Sequence, residues 1–292
     1  MTTSEGDDHH ECGKEGALIH VDCAGHVYPD GSVGLHDMCF SVCRGEIVVV
    51  CGANGSGKST LIEHLNGTLV PSVGRIQVQG EIVDGIRRRE LWRTVGVVFQ
   101  DADSQLFAPT VIEDVAFGPA NLGLGPDEAR HLGQGALEAV GAAGLAEKIP
   151  AYMSGGEKRL AAIAGVLAMR PEVIAFDEPT SDLDPVHASR VEGLILDLRH
   201  EGRYGLVVST HDLDLAARIA DRVVILRNGS VLAEGSPRDL FHDSALLRQA
   251  GLIEPRIVRL WRAFSEASGK DSGHRPLIEA ELVDAVLGQD RP

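Results

Sequence analysis

Apolar residues fall along the chain in short runs of strand length, set between longer stretches of helical period. Leu18–Cys23, Met38–Val42 and Ile47–Cys51 read as strands, the last of them continuous enough for a fully buried one. A helix opens near Lys58. A glycine-punctuated β segment (Arg75–Val83), a short basic helix (Arg87–Arg93) and a strand (Val95–Phe99) follow. Thr110 to Lys148 has helical period, with breaks expected at Gly118-Pro119 and Gly125-Pro126. It holds no long heptad array. An apolar helix over Leu160–Met169 leads to the strand Val173–Phe176, and Leu206–Thr210 is a further buried strand. Two more strands (Arg222–Arg227, Ser230–Glu234) precede helices over Pro237–Phe241, Ser244–Gly251 and Pro255–Ser265. A Gly/Ser-containing linker (Ser268–Gly273) and an amphipathic piece (Leu277–Leu287) end the chain. This is an α/β pattern.

The polar stretches between these runs carry the chemistry. Gly52-Ala53-Asn54-Gly55-Ser56-Gly57-Lys58-Ser59-Thr60 lies between a buried strand and a helix, and its Gly-x-x-x-x-Gly-Lys-Ser spacing is that of a phosphate-binding loop. Gly52, Gly55 and Gly57 let the backbone turn its N–H groups on phosphate oxygens, Lys58 reaches the outer phosphates, and the Ser59 hydroxyl suits Mg²⁺. A chance glycine-rich turn would lack the lysine, the hydroxyl and the flanking strand. The chain binds a nucleoside triphosphate.

Other strand ends gain meaning from that loop. Asp177 and Glu178 close an apolar strand, as a Mg²⁺-holding carboxylate and a general base would. Gln100 ends another strand and can reach Mg²⁺ or the attacking water. His211 ends a third, placed to sense a γ-phosphate. Ser154-Gly155-Gly156-Glu157 opens a helix with a good N-cap, forming a second anion-binding helix end. One nucleotide does not need two such ends, so the second suits the nucleotide of a facing subunit. Tyr28, beside the Pro29-Asp30-Gly31 turn, can stack on an adenine ring. Taken alone, core packing is its simpler use.

Composition narrows the partners. At 292 residues and 43% hydrophobic content, the chain supports one large domain, or one with an appendage. A net charge of −16 argues against binding nucleic acid or anionic lipid directly. No apolar run approaches the roughly 20 residues that span a bilayer, and the polar N-terminus is no secretory signal. Five cysteines without a Cys-x-x-Cys pair indicate a reduced, cytosolic chain. Cys39 and Cys51 are expected to be buried free thiols. Residues up to about Gly16 are expected to be disordered. His9, His10 and Cys12 in that arm read as a solvated tail, because no fourth metal ligand has a fixed place.

The order of these motifs, from Leu18 to about Phe241, resembles the ATP-binding cassette ATPases. The resemblance implies a P-loop core with an antiparallel β subdomain and a helical subdomain. It makes Tyr28 the adenine-stacking residue, Gly52–Thr60 the Walker A loop and Gln100 the Q-loop glutamine. Ser154–Glu157 becomes the signature acting in trans, Asp177 and Glu178 the Walker B pair, Asp182–Asp184 part of the D-loop, and His211 the switch histidine. It implies ATP and Mg²⁺ as ligands and two cassettes, homo- or heteromeric, paired head to tail. The expected layout is an arm over 1–16, the cassette over 17–242 and a helical extension over 243–292. Val97–Phe107 resembles energy-coupling-factor importers, and Ala108–Pro119 with Asn121–Leu124 resembles their cobalt and nickel members. Those imply a transmembrane coupling subunit, a membrane subunit that selects the substrate, and a place on the cytoplasmic face of the cell membrane. A vitamin importer, or a soluble cassette acting on ribosomes or DNA, is the rival reading. Two departures stand out. Ala102 replaces the usual proline of the Q-loop and is expected to loosen its turn. Leu160 and Ala161 replace an Arg-Val pair, removing a charge near the transmitting helix.

Overall fold

The computed structural model describes residues 16–85, 87–269 and 273–287. The expected arm up to residue 15, with His9, His10 and Cys12, lies outside the described residues, as does the middle of the Ser268–Gly273 linker. The first strands are longer than their apolar cores: β1 spans Ala17–Val27 and β2 Val33–Cys43, while β3 spans Ile47–Cys51. Helix α1 covers Lys58–Leu65, β4 Val73–Val78, β5 Glu81–Ile82 and β6 Val95–Val98, with a 3₁₀ turn over Arg87–Arg93. Next come α2 (Ala102–Gln105), α3 (Val111–Asn121), α4 (Pro126–Ala139) and α5 (Gly155–Ala168). The core then closes with β7 (Val173–Asp177), α6 (Pro185–His200), β8 (Gly205–Thr210), α7 (Leu213–Ile219), β9 (Arg222–Arg227) and β10 (Ser230–Gly235). Helices α8 (Pro237–Phe241), α9 (Ser244–Ala250), α10 (Arg256–Ser268) and α11 (Glu279–Leu287) complete the described chain.

Two sheets result. One has the order β2-β1-β4-β5 and is antiparallel; the other has the order β10-β9-β3-β8-β7-β6 and is parallel except for β10. Strand pleat sorts side chains by parity. Val48 and Val50 of β3, Ala175 of β7 and Val207 of β8 pack with Leu61, Ile62 and Leu65 of α1 and with Ile19 and Phe40 of the antiparallel sheet. Val49, Phe176 and Val208 face the opposite way, onto Ile163 of α5, Val191 and Ile195 of α6 and Ala216 of α7. Each fully buried aliphatic or aromatic side chain stabilises the fold by roughly 1.5–3 kcal/mol. Helix α1 is thus held between the sheets, and the other helices cover the far face.

The register sets the site. Cys51 pairs with Thr210 and Asp177 with Ser209, so β3, β7 and β8 end together. Whatever follows them meets at one edge, where open α/β sheets bind ligands.

Two expectations are corrected. Gly118-Pro119 is no break: α3 runs through it to Asn121, because Pro119 falls in the last turn, where one lost bond is tolerated, and Gly118 packs closely on Met169. Cys51 is buried, but Cys39 is half-buried and its sulfur lies 3.7 Å from that of Cys23 on the neighbouring strand. The contact with Cys39 pushes the Cys23 thiol up to about 11. The short basic helix expected over Arg87–Arg93 is present, as a 3₁₀ helix. Among the described residues no helix is long and apolar enough to cross a membrane.

Candidate active site

The loop after β3 is built as a cradle. Gly55 and Gly57 hold left-handed φ values of 78° and 106°, and a Cβ on Gly57 would lie 2.7 Å from the Gly34 carbonyl. Only glycine fits there. Gly57 also caps α1 without a side-chain bond, and the first turn of α1 carries no acidic residue. Its N–H groups are therefore open to an anion, with the helix dipole in support. The Ser56 hydroxyl is buried and has no partner among the described residues. An orphaned buried hydroxyl is costly, and a phosphate oxygen would satisfy it. Asn54 and Ser59 are exposed at the mouth. Lys58 is buried; its Nζ donates to the Gly52 carbonyl at 2.9 Å and lies 3.6 Å from Glu178 Oε1.

Asp177 and Glu178 are neighbours on a strand and would ordinarily face opposite ways. Asp177 keeps the pleat: it lies on the α1 side, where it accepts the hydroxyl of Ser209. Glu178 leaves the strand with φ at 45°, a conformation disfavoured outside glycine. Its N–H still pairs with the Ser209 carbonyl at 3.0 Å, so strand pairing holds the strained turn. The turn aims the carboxylate at Lys58. Oε2 accepts the Thr210 hydroxyl at 3.1 Å, and Oε1 lies 2.9 Å from Nδ1 of His211. Glu178 is 6% exposed, so these contacts act with little screening. His211 remains largely exposed. Residues far apart in the chain thus form one cluster of base, cation and imidazole.

Tyr28 stands beside the same loop. Its hydroxyl bonds to Thr60 Oγ1 at 2.9 Å, its ring meets His26 edge-on, and it is half-buried, leaving ring surface at the site.

Gln100 and the Ser154–Glu157 turn form a second group. Ser154 and Glu157 make a reciprocal capping box at the start of α5. The Lys148 ammonium, bonded to Glu157 at 2.7 Å, and the Ser154 N–H hold the Glu157 carboxyl below the ordinary glutamate range. Glu157 therefore commits both oxygens within its own subunit. Gly155 is exposed, and a Cβ built on it meets nothing within 4 Å. Gly156 is the opposite: a Cβ there would lie 2.2 Å from the His187 ring, which Asp184 bonds at the start of α6. The Gln100 side chain is exposed, while its backbone carbonyl accepts a bond from Arg159. The turn after Gln100 is not loose despite Ala102. Asp101 caps α2 by accepting the Asp103 N–H at 2.9 Å, and Gln105 bonds the Phe99 N–H and the Val97 carbonyl at 3.1 Å each. Leu160 and Ala161 are buried in the core, and the neighbouring Arg159 brings a charge to the Q-loop instead.

Sequence reasoning missed Ser209, Thr210, Arg159 and His187. The first two gave a faint signal, as hydroxyls ending an otherwise apolar strand.

Comparison with known proteins agrees with this geometry. Residues 35–181 match the ABC transporter family model. The energy-coupling factor transporter ATP-binding protein EcfA of Methanocaldococcus jannaschii is 47% identical over 235 residues, covering 80% of this chain and 84% of its own. A putative ABC transporter ATP-binding protein of Methanopyrus kandleri is 43% identical, covering 91% and 97%. The structure of cbiO1 from Clostridium perfringens, described as part of the ABC transporter complex cbiONQ, superposes with a TM-score of 0.73 at 36% identity, covering 85% of this chain and all of that one. The cassette MJ0796, solved as a dimer bound to ADP and Pi, gives 0.68 at 26% identity, covering 76% and 99%. With its phosphate cradle, its buried carboxylate beside Lys58 and relatives of this extent, the chain belongs to the ABC transporter family and is an ATPase.

Proposed function

We propose that this chain is the ATP-hydrolysing subunit of an energy-coupling-factor importer for cobalt or nickel ions, acting as a pair of cassettes on the cytoplasmic face of the cell membrane. The observation that carries the reading is the match to EcfA over most of both chains, joined to a P-loop whose Lys58 and His211 gather on the Glu178 carboxylate. The Ala108–Pro119 and Asn121–Leu124 runs, which resemble cobalt and nickel members of that group, support the metal.

In this reading Lys58 and the N–H groups of Gly52–Thr60 hold the phosphates, and Tyr28 packs on the base. The hard oxygen donors at the mouth suit Mg²⁺, which Ser59, Gln100 and Asp177 would hold and which would offset phosphate charge. Glu178 takes the proton of a water attacking the γ-phosphorus, while the bond to the bridging oxygen breaks. His211 orients that carboxylate and senses the γ-phosphate. Ser154, Gly155 and Gly156, with Glu157 as their cap, face the nucleotide of a second cassette. Phe107 and Phe117 meet edge-on, both substantially exposed, beside the Q-loop. Burying such a pair favours the docking of apolar helices from a membrane subunit.

The name EcfA leaves the cargo open, so a vitamin importer is the reading to separate. Labelled cobalt and nickel uptake would be measured in cells carrying the wild-type chain or Glu178→Gln. Loss of uptake of one metal supports the proposal. Unchanged uptake of both removes the metal and sends the test to vitamins, and co-fractionation with ribosomes in place of membranes would remove the importer.

A further inference from the structure

Arg159 is a buried cation to which no carboxylate is bonded among the described residues. It lies in the second turn of α5 and is 3% exposed. Its Nη1 donates to the Phe99 carbonyl and its Nη2 to the Gln100 carbonyl, while its Nε has no partner among the described residues. Burial pushes the guanidinium below its ordinary range, with Asp101, Asp177 and Asp182 acting against that at longer range. Burying such a charge is expensive, and a methionine or leucine would fill the space without the penalty. What the charge provides is position.

The two carbonyls belong to the residues that follow β6, one of them Gln100 itself. A planar guanidinium grips two adjacent carbonyls at once and fixes the orientation of the peptide between them. Lys158, one residue earlier, bonds Asp103 of α2. On the other side Gln105 anchors Phe99 and Val97. The segment that presents Gln100 is therefore fastened at one end to its own strand and at the other to the helix that begins with Ser154 and Gly155.

We propose that Arg159 is a positioning residue for ATP hydrolysis, holding the Gln100 backbone to the signature helix so that the glutamine amide and the Ser154 turn move as one unit. The inference rests on Gln100 acting at the nucleotide, and a double-mutant cycle separates the two. Arg159→Gln, Gln100→Ala and the double variant are made in the full chain. ATP turnover, KM and the thermal midpoint are measured for each. Expected is a loss in kcat of about 10-fold for Arg159→Gln with KM changed less than about 3-fold, and a double variant within about twofold of Gln100→Ala alone. Arg159→Lys recovers part of kcat, since an ammonium grips the paired carbonyls less rigidly. Should Arg159→Gln not fold, the cycle is run with the lysine variant. Losses that multiply, with Gln100→Ala itself impaired, overturn the inference alone. Wild-type turnover in Gln100→Ala overturns the reading of Gln100 and the inference with it.

Discussion

The P-loop and the first turn of α5 both offer helix-end N–H groups to an anion, yet they are built in opposite ways. The P-loop is enclosed: Lys58 and Glu178 are buried against each other, and Thr210 and His211 hold the carboxylate. The α5 turn is open. Ser154 and Gly155 are exposed, and Glu157 is used up in the cap and in its bond to Lys148. An enclosed cluster can hold charges ready for chemistry in low dielectric. An exposed turn with free N–H groups does nothing until something is brought to it. On the proposed reading, each subunit would carry the chemistry at its own P-loop and lend the other its second anion site.

Glu178→Gln breaks the enclosed half most sharply. The amide keeps the shape and can still meet Thr210, but it cannot take a proton. Steady-state turnover should fall by at least about 100-fold, while ATP affinity stays within a few-fold. Rapid hydrolysis by this variant would show that another group is the base.

Gly155→Asp tests the open half. The site has room for a side chain, so the thermal midpoint should hold, and ATP should still bind the isolated subunit. A carboxylate facing the partner's phosphates should lower turnover by roughly 10-fold or more. A variant with full turnover would mean that the turn never meets a nucleotide.

Gly156→Ala is expected to act on stability. Its Cβ would overlap the His187 ring, so the ring must leave its bond to Asp184 or α5 and α6 must move apart. Overpacking of this kind costs about 1–3 kcal/mol, a drop of several degrees by calorimetry. An unchanged midpoint would place His187 elsewhere.

The smallest effect is pH-dependent. Glu157 is held below its ordinary value of 4.5, chiefly by its bond to Lys148. A depressed carboxyl stabilises the fold above the unfolded value and loses that contribution as pH falls through the folded one. The difference in thermal midpoint between the wild type and Glu157→Gln should therefore be present at neutral pH and shrink below pH 4.5. A constant difference would remove the ionised cap.

How much of this the sequence disclosed depends on range. Gly52–Thr60 and Asp177-Glu178 were legible because loop, strand and chemistry lie within a few residues. The partners of Glu178 were not, because Thr210 and Ser209 reach it only through the parallel pairing of β7 with β8. Arg159 stands 59 positions from Gln100, and no local pattern links them. Cys23 and Cys39 looked unrelated until antiparallel pairing brought their sulfurs together. The left-handed turn at Glu178, which alone brings both carboxylates to the site, is a backbone property that residue type does not announce.

Mixing two impaired variants tests the central claim most directly. Lys58→Ala lacks the enclosed half and Gly155→Asp lacks the open half, so each alone should turn over at roughly a tenth of the wild-type rate or less. If each nucleotide lies between one subunit's P-loop and the other's α5 turn, a mixed dimer contains one intact site. An equal mixture should then recover up to roughly a quarter of wild-type turnover, since about half of the dimers are mixed and each has one working site of two. A mixture as inactive as its components, with mixed dimers demonstrated, would contradict the shared site.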